Sequence, residues 1–176
     1  MKYIFFSTLL FITAFPSGAE SIEVADHSYP LTFEAQSLTW QLQGSDHFKY
    51  KGIFSVFTAA YHESDEGNGQ KLSFTYTRKL KADDLRDQAM KTLRKQNDPQ
   101  TLEKFTEPLE EIQAAFIDVQ PDDRYAITVI QEQGTWLHLN DKEIFYTPQA
   151  DFGIWYLKIW IGEAPISISL KTALLP

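Results

Sequence analysis

The sequence predicts an α+β fold, a mainly antiparallel sheet with its helices inserted as blocks. Three observations carry this. One is His47 to Glu63, HFKYKGIFSVFTAAYHE, the longest run of strand-forming residues in the chain. Another is the helical pattern from Ala82 to Phe116, with apolar residues spaced by three and four. The third is a set of short strands with tight turns between Tyr125 and Tyr146.

Taken in order, the chain begins with the features of a secretory signal. Lys2 is a positive start, Tyr3 to Phe15 is a short apolar run, and Ser17-Gly18-Ala19 is a small-residue cleavage site before Glu20. The apolar run is shorter than the ~20 residues a membrane span needs. The expectation is a cleaved leader at 1–19, a single domain at 20–176, an exported, periplasmic protein and no stable membrane anchor after cleavage.

Ser21 to Pro30 reads as a polar lead-in, followed by strand-like pieces at Leu31 to Phe33 and Leu38 to Leu42, with Trp40 packed on the core. The long run comes next. From Phe48 to Lys51 it alternates apolar and charged, the mark of a strand with one wet face. Beyond Gly52 both sides are apolar or small, as in a strand covered on both faces. At ~3.3 Å per residue a single strand here would span roughly 50 Å, so a bend or bulge is expected, with Gly52 its natural site. The run ends in the acidic, glycine-rich turn Glu63 to Gly69, and Lys71 to Arg78 returns as the other arm of a hairpin.

Ala82 to Lys95 is predicted as a helix, with Asp83 and Asp84 in its first turn and Arg94 and Lys95 in its last, the order that suits the helix dipole. Leu85, Ala89 and Leu93 form its inner stripe. Asp98 as N-cap and Pro99 at the first helical position open a second helix, with Leu102, Phe105, Leu109, Ile112 and Phe116 inward. Pro108 predicts a kink or a division into two shorter helices. A meander of three strands follows, Tyr125 to Gln131, Thr135 to Leu139 and Glu143 to Tyr146. Thr147-Pro148 then opens a helix to about Ile161 that is apolar nearly all round and ended by Gly162, and Ser167 to Leu174 closes the chain as a short helix.

Composition excludes several kinds of chemistry. The chain has no cysteine, hence no disulfide, thiolate nucleophile or zinc-thiolate site. Its net charge of −8 becomes −9 once Lys2 leaves with the leader, which argues against nucleic acid and anionic lipid surfaces. His27, His47, His62 and His138 share no metal-ligand spacing. The acids at Glu63 to Glu66 do not follow a calcium-loop pattern, and Gly67-x-Gly69 has neither the third glycine nor the following helix of a phosphate cradle. Glu103, Glu107, Glu110 and Glu111 lie mainly opposite the apolar stripe, as solvated residues do. No nucleophile elbow is present. In the long run Thr58 stands out, a hydroxyl beside the small Ala59 and Ala60. It marks either a ligand space or a space filled by a tryptophan, with Thr58 bonded to backbone.

The segments GIFSVFTAAYH, FTYTRKLKADDLRDQAMKTLRKQ and AAFIDVQPDDRY, and above all the ending DFGIWYLKIWIGEAPISISLKTALL, resemble the chalcone isomerase-like family, in its exported bacterial branch. The resemblance covers about Leu31 to Leu175. It implies an antiparallel sheet with a layer of helices packed on one face. In the enzymes of that family an arginine, a threonine in an F-T-A segment, a tyrosine and an asparagine serve an intramolecular lyase reaction, closing a chalcone to a flavanone. Phe57-Thr58-Ala59 matches the threonine segment. Lys49 stands where the arginine would be, and Leu85 and Thr92 fall near the tyrosine and asparagine positions. Lysine offers a point charge in place of a planar fork, so that exchange is not conservative. Other members of the family hold fatty acids without turnover. The resemblance therefore implies a non-catalytic binder of a small hydrophobic or carboxylate ligand, held between the long strand and the helices, with Lys49 and Thr58 as candidate ligand-binding residues and Thr58 the candidate catalytic one. The alternative is an isomerase acting on another substrate. Neither reading requires a metal or other cofactor, and nothing in the sequence identifies a protein partner.

Overall fold

The computed structural model describes residues 20–176, so the expected leader at 1–19 lies outside the described residues. Nine strands and five helices follow in the order β1 Ser21–Val24, β2 His27–Pro30, β3 Thr32–Ala35, β4 Leu38–Tyr50, β5 Phe54–Ser64, β6 Gly69–Tyr76, α1 Ala82–Gln96, α2 Pro99–Lys104, α3 Thr106–Ala115, β7 Arg124–Ile130, β8 Gly134–Leu139, β9 Lys142–Thr147, α4 Ala150–Ile161 and α5 Ile168–Leu174. Strands β3 to β9 form one seven-stranded antiparallel sheet in sequence order, and β1 and β2 form a separate two-stranded ribbon. Both the α+β class and the layer of helices on one face of the sheet are present.

The long run is two strands and not one. Lys51 and Gly52 both adopt positive φ, 52° and 71°, and the chain reverses between Tyr50 and Ile53. Two consecutive left-handed residues make the tight hairpin turn whose twist matches the flanking strands. Gly52 accepts that conformation without strain and Lys51 takes it beside the glycine. The bulge exists but lies elsewhere: Phe48 pairs with Phe57 and Lys49 with Ser55, leaving Val56 as the extra residue. The polar lead-in is likewise a hairpin, turned at Ala25 with φ 53°.

The helices follow their caps. The Asp98 carboxylate accepts from the Thr101 backbone N–H at 2.7 Å, and Pro99 begins α2. The helical pair divides at Phe105, three residues before Pro108. Pro108 then sits in the first turn of α3, where a missing N–H leaves no bond unmade. Gln149 precedes α4, which is buried along most of its length, with Ile154 on its more open side.

Alternation sorts the sheet into two faces. Phe57, Ala59, Tyr61, Leu72, Phe74, Tyr76, Tyr125, Ile127 and Leu137 join the helices in the main core. The opposite face is rich in small polar residues, with Ala60, Ser73, Ala126 and His138 in one cross-strand row and His62, Lys71, Thr128 and Trp136 in another. A second, smaller core of Leu38, Trp40 and Ile130, flanked by Phe33 and Trp136, closes one end of it.

Helix α5 docks on β4 at Gly44, where a Cβ would stand 2.7 Å from the Leu174 carbonyl oxygen and nearer still to that of Ala173. Both obstacles are backbone, so a side chain forces the helix away. Gly44→Ala should destabilise the fold by about 1–3 kcal/mol, the usual cost of overpacking. The urea midpoint would fall accordingly, and an unchanged midpoint would show that α5 is not anchored at this glycine.

Candidate functional site

A cavity of about 620 Å³ opens between the helix-covered face of the sheet and helices α1 and α4. That volume lies within the range of sites that take small organic ligands. Its walls are aromatic and aliphatic: Phe48, Val56, Phe57 and Phe74 from the strands, Leu85 and Ala89 from α1, Ile159 and Trp160 from α4. The Val56 bulge helps to build it, because both Val56 and its neighbour Phe57 line the same space. Phe57 stacks on Phe48 at 4.9 Å between ring centres and meets Phe74 edge-on at 5.2 Å, so the floor is a rigid aromatic sheet.

Polar groups are few and placed at definite points. Tyr76 and Tyr156 both contribute to the cavity wall and are buried. Burial pushes both hydroxyls well above the ordinary tyrosine range, and for Tyr76 the neighbouring Tyr125 and Tyr156 add to it. Both stay protonated and act as donors. Tyr156 accepts from the Gln113 side-chain amide at 3.1 Å, which leaves its own O–H free to donate. Arg78, two residues beyond Tyr76, is exposed and lines the opening together with Asp84 and Gln88. Among the described residues no carboxylate lies within salt-bridge distance of Arg78. The arrangement is an apolar chamber with buried hydroxyl donors and a permanent cation at the rim.

The residues singled out in the sequence are placed elsewhere. Lys49 is exposed and does not line the cavity. Strand alternation turns it away from the side on which Phe48 and Tyr50 meet the cavity. Thr58 lies on the helix-free face, fully buried, beneath the β1–β2 hairpin. Its hydroxyl is 2.8 Å from the Tyr29 hydroxyl and 2.9 Å from His27 Nδ1, and the Tyr29 oxygen also stands 3.1 Å from the Thr58 carbonyl and 2.9 Å from the Thr75 hydroxyl, so its one proton is shared among these partners. His27 reaches Asp122 at 3.2 Å with its other nitrogen. The space beside Thr58 is thus filled by a tyrosine. Trp160 lines the cavity on the other face, and Trp155 stacks on Phe105 while donating to the Asn97 side chain at 2.9 Å. Leu85 does reach the cavity, and Thr92 bonds back to the Gln88 carbonyl within α1. Among the described residues no three His, Asp or Glu side chains converge as a metal site, and no helix is long and apolar enough to cross a membrane.

Tyr76, Arg78 and Tyr156 are not among the site residues the sequence predicts. A signal for the first two was present, since Phe74, Tyr76 and Arg78 share one parity of the FTYTR segment and therefore one face.

The profile described as chalcone isomerase-like matches residues 21–176. Among solved structures the chain resembles a fatty-acid binding protein of Arabidopsis thaliana, with a TM-score of 0.67 at 11% identity, covering 88% of this chain and 95% of that one. At that identity the likeness concerns the fold. No curated protein sequence matches significantly.

Proposed function

The chain belongs to the chalcone isomerase-like family, and from that membership we propose that it is an exported, periplasmic protein that binds a small hydrophobic ligand with an acidic or polar head, without turning it over. The observation that carries the reading is the 620 Å³ apolar cavity with buried phenol donors and Arg78 at its rim. An aliphatic or aromatic body gains by leaving water for such walls. A carboxylate head would find O–H donors inside and a guanidinium outside, the groups that hold carboxylates best. The fatty-acid binding activity of the Arabidopsis neighbour supports this class of ligand. The leader-like start of the sequence supports export.

The test is direct. Native mass spectrometry of the purified protein should show a bound acyl chain or small organic acid, and a fluorescent fatty-acid analogue should bind stoichiometrically and raise the melting temperature. Protein free of bound species, with no thermal shift across fatty acids of different length, would defeat the reading.

The isomerase alternative rested on Thr58, which is sealed under Tyr29 on the face away from the cavity. Thr58→Val should leave ligand binding unchanged and cost about 1–3 kcal/mol of stability, mainly through the His27 Nδ1 left without its partner, since Tyr29 keeps the Thr58 carbonyl and the Thr75 hydroxyl. Stereoselective loss of chalcone above the buffer rate, abolished by that substitution, would restore the catalytic reading.

A further inference from the structure

The β4–β5 hairpin carries a feature that neither core explains. Tyr50, Ile53 and Phe54 surround its turn and are 56%, 76% and 54% exposed. Large apolar side chains at such exposure are ordinary when scattered, but these three share one tip. The tip is held by the two-residue turn at Lys51 and Gly52, so its shape needs no ordering on contact. It is also continuous with the cavity, because Tyr50 belongs both to the tip and to the cavity wall.

The charge around it is the opposite of the molecule's. Lys49 and Lys51 flank the turn, and Arg78, Lys79 and Lys81 follow on the neighbouring segment, joined to the hairpin where the Thr77 N–H bonds to the Val56 carbonyl at 3.0 Å. The acids set against this segment are Asp84, at the cavity rim, Asp83, which pairs with Arg86, and Asp118, which accepts from the Ala82 N–H at 2.9 Å beside Lys81, against the five cations Lys49, Lys51, Arg78, Lys79 and Lys81. The total charge of −8 disfavours an anionic surface for the molecule as a whole. Screening over about 8 Å at physiological salt, however, leaves the local cluster to act at contact and turns the acidic remainder away.

We propose that this tip is a membrane-contact surface, which docks the protein reversibly on an anionic lipid bilayer with the cavity mouth at the interface. Ile53 and Phe54 would enter the boundary between headgroups and acyl chains, Tyr50 would sit at headgroup level as interfacial tyrosines do, and the lysines would reach anionic headgroups. Lys51 already lies over the Tyr50 ring, 5.4 Å from its centre, with its charge at the edge of the apolar patch. Docking in this orientation presents Arg78 and the opening to the lipid surface, so a ligand passes between bilayer and cavity without crossing water. The contact itself stands on the tip; its role in ligand passage rests on the binding function proposed above.

The experiment is vesicle flotation of the purified protein, with equimolar phosphatidylglycerol and phosphatidylcholine against phosphatidylcholine alone, at low and high salt. The protein should float with the anionic vesicles and be released by salt. Ile53→Ser/Phe54→Ser and Lys51→Glu/Lys79→Glu should each weaken partitioning by roughly tenfold, with melting temperatures unchanged. Ile53 and Phe54 do not line the cavity, so the serine variant should bind a fluorescent fatty-acid analogue normally in vesicle-free buffer. That separates the two ideas: absent analogue binding sinks the ligand reading, and absent flotation sinks the membrane contact. Flotation indifferent to the tip variants would overturn the proposal. So would a self-association that those variants abolish, with no vesicle binding, since the tip would then be a contact between copies.

Discussion

Ala89→Trp should abolish ligand binding while leaving the fold intact. Ala89 is buried on α1 and contributes to the cavity wall. An indole in its place projects into the space between α1 and the Phe57–Phe74 floor, where some 150–250 Å² of aromatic surface displaces any occupant. Affinity for a fluorescent fatty-acid analogue should fall at least about 100-fold, equivalent to ~2.7 kcal/mol. The melting temperature is the control. An indole filling a real void leaves it level or higher, because the lining gains contacts that the empty space denies it. If the space were already occupied by protein, overpacking would lower stability by about 1–3 kcal/mol. Unchanged affinity with unchanged stability would place the ligand outside this cavity.

Several elements of the fold are legible in the sequence because their signals are local. The charge order of α1 and the Asp98-Pro99 opening of α2 need only neighbours in sequence, and Ser167, read as the first residue of the last helix, is instead its cap, accepting from the Leu170 N–H at 3.2 Å. The β7–β9 meander was readable for the same reason. The long strand run departs from its sequence expectation at one point, because a glycine inside a strand pattern signals a bulge or a turn equally well and Lys51 gives no sign that it will adopt a positive φ. Placing Phe57 and Thr58 on opposite faces followed from alternation. Which face the helices cover did not, since that is decided by α1 and α4, which come later in the chain. Hence Thr58, the residue the resemblance pointed to, sits in a polar network under the N-terminal hairpin, and the cavity takes Phe57, of opposite parity, together with the bulged Val56. The β1–β2 hairpin was hidden because its turn residues, Ala25 and Asp26, carry no glycine.

Stability should fall in acid through His62, on the helix-free face. The ring is almost completely buried, its Nε2 donates to the Pro30 carbonyl at 2.9 Å, and its Nδ1 has no partner. Phe33 packs edge-on at 5.1 Å. Burial, with Lys71 adding to it, lowers the imidazole pKa from 6.5 to about 4, although the Pro30 bond favours the charged form. The native ring is therefore neutral. Between those two values the unfolded chain binds a proton that the folded chain refuses, so stability rises with pH across the window and is lost as pH falls from about 6.5 toward 4. At 1.36 kcal/mol per unit the loss is on the order of 3 kcal/mol. Urea unfolding near the two ends of that window, for the wild type and for His62→Met, isolates the effect, because the carboxylates contribute alike to both proteins. The variant's midpoint should depend less steeply on pH, and parallel slopes would remove His62 from the account. His62 sits under the end of β2 at Pro30, and a charged ring gains by leaving its buried site for water, so acid favours local opening around the hairpin that seals Thr58. Hydrogen exchange in the Tyr29 and Thr58 backbone should then rise in acid before the helix-covered core opens.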